Sequence, residues 1–82
     1  MDMEEMNVIP RKQEFALCLN NEGHEASLEI GKLYPVIADN TAVQHGYLRL
    51  VDESDEDYAY AAHRFYILRL PEKVEETLLL AN

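Results

Sequence analysis

The chain of 82 residues has a single cysteine, Cys18, only three glycines and three prolines, and no tryptophan. One cysteine excludes an intrachain disulfide, so the chain must fold by packing alone, which suits a reducing, cytoplasmic setting. Basic residues are scarce too: seven Lys and Arg stand against sixteen Asp and Glu, a formal net charge of −9. Those seven lie singly or as the one pair Arg11 and Lys12, with no basic stripe. Binding to phosphate backbones needs several cations on one surface, and a field of this sign repels nucleic acid and anionic membrane alike. No apolar run approaches the roughly 20 residues that span a bilayer. The opening "MDMEEMNVIPRK" lacks the basic-then-apolar pattern of a secretory signal. What is present is a 48% hydrophobic content, enough for one small core and too much for a disordered chain.

Along the chain, residues 1–10 read as an acidic leader, because no periodicity starts there. In "KQEFALCLNN", Phe15, Leu17 and Leu19 alternate with Ala16 and Cys18. Period-two alternation predicts a half-buried strand with the large side chains inward and Cys18 on the opposite face. "NNEGHE" is a turn cluster. "ASLEIGKLYPVIAD" predicts a second strand, with Leu28 and Ile30 on one parity and Gly31 at a bulge or bend. Pro35 cannot donate to a ladder, which places this strand at an edge or turns that position outward. "DNTAVQHG" predicts one helical turn, capped by Asp39 or Asn40 and closed by Gly46. "YLRLV", "YAYA" and "YILRL" are three further strands, with "AHRF" as a tight turn before the last. Pro71 opens "PEKVEETLLLAN", a helix over 71–82 with Leu70, Val74, Leu78 and Ala81 on one face. So short a helix must dock on something to persist.

The expected architecture is therefore mainly β: a small five-stranded barrel over residues 11–70 followed by a C-terminal helix. The order of a strand, a long polar turn, "L-x-I-G-x-x-Y-x-V", a hairpin and a short turn before a last strand resembles the Src-homology-3-like barrel. "AAHRF" takes the place of the 3₁₀ turn before that barrel's final strand, and the resemblance covers residues 14–70. More narrowly, "EASLEIGKLYPVIAD" and "HGYLRLVDESDEDYAYAAHRF" look like a group of short bacterial proteins of uncharacterised function. These carry a similar E-A-S-L-E-x-G-K-x-Y stretch and a D-E-S-G-E-D-Y hairpin, with glycine where this chain has Asp55. The resemblance implies the fold and a bacterial origin and brings no activity with it.

The densest cluster of candidate groups is "VDESDEDY", where Asp52, Glu53, Asp55, Glu56 and Asp57 flank Ser54. A calcium loop needs acids at alternate positions, then a glycine and a later glutamate, and Ala59 and Tyr60 break that pattern. Neighbouring acids on a strand point to opposite faces and do not converge on one ion. A solvated hairpin with "ESDE" at its tip fits better, and Asp55 tolerates the left-handed backbone such a turn requires. Cys18, His24, His45 and His63 offer the donor types of a zinc set or a Cys–His nucleophile. None is closely spaced with another, and no helix start or glycine-rich loop activates the thiol. Paired carboxylates abound, but a hydrolase needs a cleft for which 82 residues leave little room.

Two contact surfaces remain. Tyr58 and Tyr60 share one face of their strand, so both point inward as core or both outward as a ledge beside the acidic hairpin. Outward, they suit a ligand rich in Arg or Lys, much as Src-homology-3 domains present aromatic grooves to extended peptides. "TLLLAN" spreads Leu79 and Leu80 beyond one helical face, which suits a homodimer contact or a partner. The sequence thus reads as a cytoplasmic, non-enzymatic protein-interaction or regulatory module without a cofactor. Its protein partner is unidentified and basic in character; a homodimer through the helix is compatible, nucleic acid and membrane are not. The alternatives are a metal-dependent protein or enzyme built on Cys18 and the histidines and, more weakly, a nucleic-acid-associated barrel.

Overall fold

The computed structural model describes residues 13–80; the leader at 1–10, and Ala81 on the helix, lie outside the described residues. The elements are β1 (Glu14–Cys18), β2 (Leu33–Ile37), α1 (Asn40–Gln44), β3 (Tyr47–Val51), β4 (Asp57–Ala61), a 3₁₀ turn (Ala62–Arg64), β5 (Phe65–Arg69) and α2 (Glu72–Leu80). The fold is mainly β. All strands pair antiparallel in the order β4-β3-β2-β1-β5, so β4 and β5 are the edges of an open ladder.

Local chemistry sets the boundaries. Asp39 caps α1 by accepting the Ala42 N–H at 3.0 Å, and Gly46 ends the turn at φ +81°, a left-handed position. Asp55 has φ 66°, the one non-glycine residue with positive φ among the described residues, as a tight β3–β4 hairpin requires. α2 starts one residue after Pro71 and carries Glu72 and Glu75 in its first turn, complementing the helix dipole.

The core gathers Ala16, Cys18, Leu28, Tyr34, Leu48, Leu50, Tyr60 and Phe65. This inverts the expected parity of β1. Ala16 and Cys18 face the core, whereas Leu17 is half-buried and Leu19 exposed. Phe15 is fully buried as well, on the opposite face, where it lines a groove with Pro35 and Leu78. The second face buries Phe15 alone of the three large side chains, with Leu78 of α2 lining the same groove. Two other expectations change. β2 is an interior strand, not an edge; Phe15 pairs with Pro35, and pairing with β3 begins only at Val36, past the residue lacking an N–H. Leu28 is buried but Ile30 is exposed, because the bend expected at Gly31 is a full turn over residues 29–32, closed by the Lys32 N–H on the Glu29 carbonyl at 3.2 Å with Gly31 at φ +85°, and β2 begins only after it.

Candidate functional site

The acidic hairpin is assembled from inside outward. Asp52, just past β3, is only 7% exposed, and both of its carboxylate oxygens are occupied. Oδ2 accepts the Tyr60 hydroxyl at 2.7 Å; Oδ1 accepts the Ser54 hydroxyl at 2.5 Å and the Ser54 N–H at 2.9 Å. Burial pushes the Asp52 carboxyl up, but the donors from Ser54 and Tyr60 outweigh it and hold it below the ordinary carboxylate range. The same environment acts on its partner: burial, then the bond to Asp52, pushes the Tyr60 phenol up to about 12.

The neighbouring carboxylate points elsewhere. Glu53 Oε2 accepts the Tyr34 hydroxyl at 2.6 Å and pairs with Lys32 Nζ at 2.7 Å. The Lys32 bond, then the Tyr34 bond, holds Glu53 below its usual range, whereas burial and then Glu53 raise Tyr34. The Tyr34 oxygen also accepts the Glu29 N–H at 2.8 Å, and the Glu53 N–H donates to the Ser27 carbonyl at 2.9 Å. Glu53 therefore latches the hairpin to the long β1–β2 loop. Asp57 makes a third internal link: Arg49 reaches it at 2.6 Å and Asp39 at 3.0 Å, bridging β4 to the cap of α1. Asp55 and Glu56 have exposed side chains and no ion pair among the described residues. Of the five acids expected to point outward, Asp52 is buried, and Glu53 and Asp57 are engaged within the fold.

The tyrosine pair corrects the expectation that both rings share one fate. Tyr60 is 3% exposed and belongs to the core, while Tyr58, on the same side of β4, is 55% exposed at the hairpin end of the sheet. Their rings lie 4.8 Å apart, so Tyr58 rests on Tyr60. His24, from the β1–β2 loop, packs edge-on against Tyr60 at 5.0 Å and stands 6.5 Å from Tyr58. The patch is thus a supported aromatic step, with Tyr58 as its exposed tread. Sequence reasoning placed His24 in a turn but missed this role, because the contact spans more than thirty residues and no local spacing signals it.

Other candidate groups lie apart. Cys18 is fully buried, and burial pushes its thiol up, away from the thiolate that nucleophilic or metal chemistry uses. His45 ends α1 with Nδ1 2.8 Å from the Thr41 carbonyl oxygen, and His63 sits exposed on the 3₁₀ turn. Among the described residues, no three His, Cys, Asp or Glu side chains gather into a metal-binding group, and no helix is long and apolar enough to cross a membrane. Leu79 and Leu80 are exposed on α2, Leu80 the more so at 82%. Leu78 instead lines an open groove of about 630 Å³ with Phe15, Leu33, Pro35 and Val51, and Glu53 and Asp55 lie on its border. Compared with known protein families, curated proteins and solved structures, the chain shows no match.

Proposed function

We propose that this chain is a non-enzymatic protein-interaction module of a bacterial cytoplasm, built as a Src-homology-3-like barrel, whose exposed Tyr58 receives a basic, extended segment of a partner protein. The observation that carries this reading is the exposure of Tyr58 on a ring cluster fixed from beneath by Tyr60 and His24, at the end of the hairpin whose Asp55 and Glu56 carboxylates are exposed and have no ion pair among the described residues. A guanidinium or ammonium group over the Tyr58 face gains a cation–π contact, and the carboxylates add charge complementarity. The platform is preorganised, because Asp52 and Glu53 fasten the hairpin through buried or half-buried bonds, so little order is lost on binding. The barrel reading draws on the strand order, the long β1–β2 loop and the 3₁₀ turn that leads into β5.

Titration of the protein with arrayed Arg- and Lys-containing peptides, read by tyrosine fluorescence and amide chemical shifts, tests this. Shifts should centre on Tyr58 and His24, and Tyr58→Ala should weaken binding at least tenfold while the protein stays folded, with a cooperative melt lowered only by the lost Tyr58–Tyr60 contact. Removal of the two charges by Asp55→Asn with Glu56→Gln should lower affinity and flatten its salt dependence. Binding that ignores both variants sinks the proposal.

A further inference from the structure

We infer that the outer edge of β5 is a self-pairing surface, and that two copies of this chain join there as an antiparallel β5–β5 dimer about a two-fold axis beside Ile67. The argument begins with backbone direction. The Leu19 N–H donates to the Arg64 carbonyl at 2.8 Å, which fixes residue 64 as facing β1. Alternation in an antiparallel ladder then turns Tyr66 and Leu68 toward β1, and the backbone groups of Phe65, Ile67 and Arg69 away from it. The Phe65 N–H is already used, donating to the Ala62 carbonyl across the 3₁₀ turn. β5 ends the strand order, so the Ile67 N–H and C=O, the Arg69 N–H and the Phe65 C=O have no ladder partner among the described residues.

This set is self-complementary. With Ile67 opposite Ile67 of the second copy, the two residues exchange a pair of hydrogen bonds. Arg69 then faces Phe65 of the second copy, so each free Arg69 N–H meets a free Phe65 carbonyl and the occupied Phe65 N–H is not needed. Four bonds close with no donor left over. The side chains agree with this register. Tyr66, 62% exposed, forms one cross-strand row with Leu17 and Leu33, and the register places it opposite the second copy's Leu68.

Charge selects a second copy at this edge over the other. Arg64, Arg69 and Lys73 lie on or beside β5, three of the five Lys and Arg within residues 13–80, whereas β4 begins in the acidic hairpin. The cations near β5 are balanced by acids, Arg69 by Glu14 at 3.4 Å and Lys73 by Glu72 and Glu76 of its own helix, so two chains of net charge −9 repel less across this locally mixed edge than across the acidic one. β5 also lacks the proline, bulge or inward-pointing charge that protects an open edge.

The test combines sedimentation velocity with amide hydrogen exchange over a dilution series of the full chain. A dimer should form on concentration, and protection should rise with it at Ile67 and Arg69 but not at Tyr66 and Leu68, which already face β1. Tyr66→Glu puts two carboxylates on diagonal positions across the two-fold axis and should weaken the dimer at least tenfold, with the melting curve of the dilute protein retained. Arg69→Pro deletes an outward N–H along with the Arg69–Glu14 ion pair and should act in the same direction, whereas Arg69→Ala, which loses that ion pair but keeps the N–H, should leave most of the dimer in place. A chain that stays monomeric at the concentrations used for nuclear magnetic resonance overturns the inference. So does a dimer whose Ile67 and Arg69 amides still exchange freely, because its contact then lies elsewhere, as on the exposed leucines of α2.

Discussion

Asp52→Ala should destabilise this protein more than any other single change in the acidic hairpin. The substitution removes the acceptor of three hydrogen bonds, from the Tyr60 hydroxyl, the Ser54 hydroxyl and the Ser54 N–H. Ser54 is exposed and its two donors can turn to water, so their loss costs little. Tyr60 is buried, and the partner its hydroxyl keeps is the neutral Ser27 side chain, a weaker acceptor than a carboxylate. A hydrogen bond to a charged acceptor contributes about 1.5–3 kcal/mol, and an orphaned buried hydroxyl costs about 1–3 kcal/mol. These are two measures of the same lost bond, so the change should cost about 2–3 kcal/mol, against a total stability of about 4–12 kcal/mol for a chain of this length. Urea unfolding at neutral pH measures it. A double-mutant cycle separates cause from coincidence: Asp52→Ala with Tyr60→Phe removes donor and acceptor together and should cost about 1–2 kcal/mol less than the sum of the single changes. A loss for Asp52→Ala within about 0.5 kcal/mol, the range of an ordinary surface change, or an additive cycle, would refute the claim that this carboxylate anchors the hairpin.

The ionisation of the same groups makes stability depend on pH at both ends. Asp52 and Glu53 are held below their ordinary values, so their contribution is complete above the unfolded carboxylate range near pH ~4 and is lost as pH falls through the lower folded values; acid unfolding of the wild type should be steeper than that of Asp52→Ala. Tyr60 is raised to about 12, so its contribution is complete below the unfolded phenol value near ~10 and is lost as pH rises from there through about 12. Tyr60→Phe should flatten the stability profile over that alkaline window. Asp55→Gly relieves a left-handed backbone and should raise stability by about 0.5–1 kcal/mol in the same urea assay. Cys18 should resist thiol reagents in the folded protein and react at the rate of global unfolding, a rate that denaturant should accelerate.

What could be read from the sequence was whatever local chemistry decides. The Asp39 cap, the left-handed Gly46 and Asp55, and the helix opened by Pro71 each follow from neighbours a few residues away, and the structure has them there. The inward face of β1 could not be read in this way. Phe15 and Leu17 alternate with Ala16 and Cys18, and size alone points the large residues into the core. The second face of β1 also carries a buried aromatic, Phe15 above the groove lined by Leu78, however, so alternation of apolar residues does not say which parity faces the core. The tyrosines failed for a related reason: residues of one parity share a face, but burial also depends on distance from the sheet's end, and Tyr58 lies nearer the hairpin than Tyr60.

The acidic hairpin shows the same limit in charge. An aspartate in a turn reads as solvated, yet Asp52 is buried because a strand eight residues later returns a tyrosine hydroxyl to it. Glu53 is held by Tyr34, nineteen residues away, and Asp57 by Arg49 across the ladder. Each long-range partner converts a carboxylate from a surface charge into a structural tie. The proposed peptide surface therefore offers the two carboxylates of Asp55 and Glu56, not five, beside one exposed ring. Its selectivity must then rest chiefly on Tyr58. The salt dependence of peptide binding should accordingly match about two screened charges, while loss of the ring should cost more affinity than loss of both acids.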